Sequence, residues 1–132
     1  MNRSLLLALL LTTIACSAFA QQLSCADRAN EHLWVKKVRV DAKAKTVFLT
    51  LAQAPTSRKA VLTNASESQF GKPVYAFNLP PVEGAEPVTN VFKLFYTGTE
   101  WRLIEAGLLQ VNGVLTLRAL GQSVALTCKE AA

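Results

Sequence analysis

Few residues in this chain carry chemistry, and their spacing argues against most kinds of it. There is one histidine, His32, so a metal site built on a histidine pair is out of reach. A serine nucleophile would have only His32 to activate it and no Gly-x-Ser-x-Gly turn to present it. Beside Glu31 and just ahead of a strand-like run, His32 reads as a surface residue. The six glycines are scattered, and none belongs to a phosphate-cradling loop. Paired carboxylates are the remaining acid–base device. Most of the acids (Asp27, Glu31, Asp41, Glu67, Glu83, Glu86, Glu100 and Glu130) fall in or near turns, where a charge is solvated. Glu105 differs, because it alternates with Trp101 and Leu103 and so points toward an apolar side. Lys93 sits similarly between Val91 and Phe95 on the preceding strand, and the two read as an ordinary polar pair of a sheet face. No catalytic set, metal set or cofactor is expected.

The cysteines lead to the compartment. Arg3 precedes an apolar run from Ser4 to Ala15, followed by Ala18-Phe19-Ala20. A charged start, an apolar stretch and small residues around a cleavage point are the parts of a secretory leader. The stretch is shorter than the roughly 20 residues that span a bilayer. Residues 1–20 are therefore expected to be removed, leaving 21–132 as a single domain that is exported, most simply to a bacterial periplasm. Thr13-Ile14-Ala15-Cys16 loosely matches a lipobox, which makes a lipid anchor at Cys16 the alternative; no membrane span is expected. In an oxidising compartment Cys25 and Cys128 are expected to pair. That bond would close a loop of about 100 residues and hold the two ends of the domain together.

Charge is unevenly placed. Removing Arg3 lowers the net charge from +5 to +4. Lys36, Lys37, Arg39, Lys43, Lys45, Arg58 and Lys59 are opposed in their stretch only by Asp41, whereas 83–105 is mildly acidic. A basic region of this kind steers a protein toward an acidic protein or an anionic envelope surface. The plainer reading is a solvated edge whose lysines discourage aggregation. Nucleic acid is not expected, because no basic motif is interleaved with aromatics. Phe48 alternates onto the Thr46/Thr50 side, where it is either an exposed anchor beside the basic strands or part of a second covered face. Together with the loops around Gly71-Lys72-Pro73 and Pro80-Pro81, this gives a candidate binding surface of Lys36, Arg39, Phe48, Lys72, Pro80 and Pro81.

The elements that must hold these residues are strands. Leu23 to Trp34 has a weak capping box at Ser24 and Asp27 and predicts one short helix, with an extended entry into the first strand as the alternative. From there the apolar period is two: Trp34, Val38 and Val40 alternate with Val35, Lys37 and Arg39, and Val47, Leu49 and Leu51 with Thr46, Phe48 and Thr50. Further strands are expected over 59–63, 74–79, 88–96, 101–106, 108–111, 114–120 and 123–129. Asn112-Gly113 is the strongest hairpin signal, and Gly121-Gln122 reads as another turn. Eight or nine short strands with regular turns predict an all-β fold, a small antiparallel barrel or meander, with a β-sandwich as runner-up. Such a body presents loops rigidly and lacks a catalytic set, so the expected role is a non-catalytic binding module of the inhibitor or immunity type. The alternative is a lipocalin-like carrier of a small apolar ligand.

Overall fold

The computed structural model of the chain describes residues 22–28, 30, 34–53 and 56–131. The predicted leader, the Cys16 alternative and His32 lie outside the described residues. Period-two alternation becomes strand after strand: β1 (Gln22–Asp27), β2 (Val35–Asp41), β3 (Thr46–Leu51), β4 (Arg58–Asn64), β5 (Ser68–Gln69), β6 (Lys72–Pro73), β7 (Tyr75–Leu79), β8 (Val88–Tyr96), β9 (Trp101–Val111), β10 (Val114–Leu120) and β11 (Val124–Ala131). Eight of them pair antiparallel around a ring, β1-β2-β3-β4-β7-β8-β9-β11, and β11 returns to β1. The fold is thus a closed up-and-down barrel rather than a sandwich. Cys25 and Cys128 are register partners at the seam, bonded at an S–S distance of 2.03 Å.

Three local readings change. Where a helix was expected over Leu23–Trp34, its first half is β1, with Leu23 and Cys25 buried and Ser24 and Ala26 exposed, while residues 29 and 31–33 of its second half lie outside the described residues. Ladders on both edges, to β2 and β11, outweigh a weak capping box because they satisfy the backbone along its whole length. In β2 the strict alternation breaks at a bulge between Val35 and Lys37. The extra residue shifts the phase, so Val35 and Val38 both face inward at 1% exposure instead of lying on opposite sides. Third, Gly121-Gln122 does not reverse the chain. β10 and β11 run in the same direction along β9, meeting Ala106–Val111 and Trp101–Leu103 in turn. They form one arm of a long hairpin folded at Asn112-Gly113, whose φ values of 49° and 78° suit a type I′ turn. The loop expected at 64–73 contains a second, smaller hairpin, β5–β6, turning at Phe70-Gly71.

Inside the ring the side chains fill the space. Val40, Val47, Leu49, Phe77, Leu94 and Leu103 have no exposed surface. Phe77 stacks on Phe92 with centroids 5.0 Å apart, and Trp34 leans on Phe92 at 5.7 Å. The Trp34 indole Nε1 donates to Glu105 Oε1 at 2.9 Å, which accounts for the one acid turned to the apolar side. Lys93 is not its partner: the register sets Lys93 opposite Ile104 and Glu105 opposite Phe92, and Lys93 is exposed on the outer face. Glycine is needed at 121, because a Cβ there would lie 2.1 Å from Glu105 Cγ.

Tyr75 closes the other end of the core, 2% exposed and stacked on Trp101 at 6.4 Å. Burial, and then the negative charge of Glu130, hold its phenol above the usual tyrosine range. The fold therefore favours the neutral phenol. That contribution is whole below the unfolded value of about 10 and is lost as the pH climbs through the higher folded value. In alkaline solution the wild type should lose stability that Tyr75→Phe does not lose. A phenolate absorbance titration should also show Glu130→Gln moving Tyr75 down. Parallel stability profiles for wild type and Tyr75→Phe above pH about 10 would refute this.

Candidate functional site

The outer faces of β11, β1, β2 and β3 form an open groove of about 460 Å³. Alternation decides which side chains reach it: Thr127 and Lys129 from β11, Ser24 and Ala26 from β1, Lys37 and Arg39 from β2, Phe48 and Thr50 from β3, with Ser57 at one end. Each of these outward residues flanks an inward one, such as Cys25, Val38 or Leu49, that anchors the strand in the core. The groove thus stands on a rigid wall.

Its chemistry is cationic and hydroxylic. Lys37, Arg39 and Lys129 line it with Ser24, Thr50, Ser57 and Thr127, and among the described residues no carboxylate does. Lys59, the register partner of Phe48, continues the basic face onto β4. Among the described residues none of these four cations is paired with an acid. Arg39 and Phe48 are themselves cross-strand partners, and the guanidinium carbon lies 4.8 Å from the ring centroid. The ring carries the cation without neutralising it, so Arg39 is held in place with its donors still free for an anion. Thr50 and Ser57 hydroxyls meet at 3.1 Å at the groove's end.

Of the six residues expected to form a binding surface, the structure brings together Arg39 and Phe48. Phe48 is half-buried under Arg39 on the outer wall rather than bare. Lys36 is the bulged residue of β2, and its ammonium turns to Asp27 at 3.8 Å and to Asn30. Lys72 pairs with Glu130 at 2.7 Å, ahead of the first residue of β7. Pro80 and Pro81 follow the last residue of β7, at the opposite end of that strand, where Arg58 donates to the Pro80 carbonyl at 3.2 Å. Lys37 belongs to the basic run of the sequence but not to the expected surface, and Lys129 and the hydroxyl residues belong to neither. The signal for two of them was present: pairing Cys25 with Cys128 already lays the last strand beside the first, which carries Thr127 and Lys129 into the basic region.

Among the described residues no helix is long and apolar enough to cross a membrane. No family model matches the chain, and neither does any curated protein or solved structure.

Proposed function

We propose that the protein is an exported, non-catalytic binding module that holds an acidic protein partner on the groove formed by β11, β1, β2 and β3. The observation that carries this reading is the set of three cations and four hydroxyls facing one open groove, with no carboxylate in its lining among the described residues. Preplaced cations on a rigid wall speed encounter with an acidic surface and cost little ordering when they bind. The Cys25–Cys128 bond supports work in an oxidising compartment, in keeping with a leader and a periplasmic site. A carrier role draws no support from an interior occupied by Phe77, Phe92, Leu94 and Leu103. A small body of this kind acts by occupying its partner's surface, as inhibitors and immunity proteins do.

The test uses immobilised polyglutamate as a defined acidic probe, and an envelope extract of the producing cells as the source of the partner. The wild type should be retained on polyglutamate and released by salt. Changing Lys37, Arg39 and Lys129 together to Glu should weaken binding on the order of 100-fold while leaving the thermal midpoint within a few degrees. From the extract the wild type should capture one acidic protein that this variant does not. Lipid in place of protein, or capture that survives the triple change, would overturn the proposal.

A further inference from the structure

Among the described residues, the nine-stranded sheet leaves one strand edge open. Each strand of the ring has a neighbour on both sides, whereas β10 pairs only with β9 and leaves its other edge open. All seven of its residues are exposed. Open edges are normally guarded by lysine, proline or an inward charge. β10 reads Val-Leu-Thr-Leu-Arg-Ala-Leu, and its single charge, Arg118, is drawn to Glu86 at 3.5 Å. The register with β9 puts Leu115, Leu117 and Leu120 on the outer face, 64%, 54% and 75% exposed. Beside them on the same face lie Ile104 and Val91, around a shallow groove of about 380 Å³.

We propose that β10 is a self-association edge through which two copies of this chain pair antiparallel about a two-fold axis at Thr116. An isologous contact requires the same surface to complement itself. An axis at Thr116 does this within the unbulged part of the strand, setting Leu115 of one copy opposite Leu117 of the other on the outer face and Thr116 opposite Thr116. The three-stranded sheet of β8, β9 and β10 then continues into that of the second copy. The leucine-rich face is on the order of 400 Å², at the size where patches on a monomer signal an interface. Pairing edge to edge covers the two strand edges and the facing flanks of the leucine rows, on the order of 800 Å² in all, the size of a weak, reversible interface. Charge agrees with this occupant. The basic groove begins at Thr127 and Lys129 of β11, past the Trp101 end of β9, whereas β10 pairs with the opposite end, Ala106–Val111, so joining two β10 edges does not bring the cations together.

Sedimentation velocity on the purified protein should give a species with the mass of two chains. Changing Leu115 and Leu117 together to Asp should give the mass of one chain, with circular dichroism and thermal midpoint unchanged. Independently, Thr116→Cys should oxidise to a covalent dimer, because residues facing each other on the axis have Cα atoms within disulfide reach. Gln110→Cys, also exposed but on β9, should not. A wild type that sediments as one chain at every concentration, including one that instead takes up lipid or another protein on β10, overturns the proposal. So does a dimer that survives both Asp changes, or a Thr116→Cys variant that cross-links no faster than Gln110→Cys.

Discussion

Replacing Cys25 and Cys128 together by alanine should lower the thermal midpoint by about 15 °C, the equivalent of roughly 4 kcal/mol in a domain of this size. The two cysteines are 103 residues apart in sequence. Tying such distant points removes a large share of the unfolded chain's freedom, which the chain-entropy treatment puts at about 4.7 kcal/mol for a loop of about 100 residues. The folded state loses little by comparison. Cys25 is 4% exposed and its pairing with Cys128 is one of six register pairs between β1 and β11, so alanine leaves a small void in a ladder that is otherwise intact. Wild type with reductant should therefore melt near the double variant, and the variant should not respond to reductant. A shift of only a few degrees would mean that the strand pairing at the seam, and not the covalent bond, holds the barrel shut.

The second large effect is expected at Phe77. Its side chain has no exposed surface and stacks on Phe92 at an interplanar angle of 12°. Phe77→Ala removes that stack and leaves a cavity the strands cannot collapse around, because each is held by ladders on both edges. The expected loss is about 3–5 kcal/mol, a large part of the roughly 5–15 kcal/mol that stabilises a domain. Phe77→Leu keeps part of the volume and should cost less. Phe48→Ala is the informative contrast, since Phe48 lies on the outer wall and contributes a contact with Arg39 worth about 0.5–1 kcal/mol. Urea midpoints for the three variants should rank Phe77→Ala lowest and Phe48→Ala nearest the wild type. Equal losses at Phe77 and Phe48 would mean that the outer face is as tightly packed as the interior.

The architecture was legible where side-chain pattern and backbone demand coincide. Val38 and Val40, Val47 and Leu49 alternate cleanly, and all four are buried. Asn112-Gly113 predicted a turn from its tolerance of positive φ and supplies one. The cysteine pair predicted which strands meet at the seam. What the sequence hid depends on phase and on partners far along the chain. A bulge has no reliable composition, so Val35 was placed outside and Lys36 was grouped with Arg39, which it turns away from. Gly121-Gln122 looked like a reversal because turn residues do not reveal whether the next strand returns or continues. The Phe70-Gly71 hairpin was read as loop, since an aromatic residue at a φ of 50° is an uncommon choice there. The candidate site was half visible: its cations on β2 were counted as a basic run, while those on β11 joined them only through closure of the ring.

The seam also sets an order of events during synthesis. Among the strands of the ring β1 is made first, and one of its two neighbours, β11, is made last. Contacts between chain ends are among the slowest to form, because the whole intervening length must be ordered before they are rewarded. Until then the ring is an open curl of strands with a bare rim on each side. Ring closure therefore waits until β11 has been made.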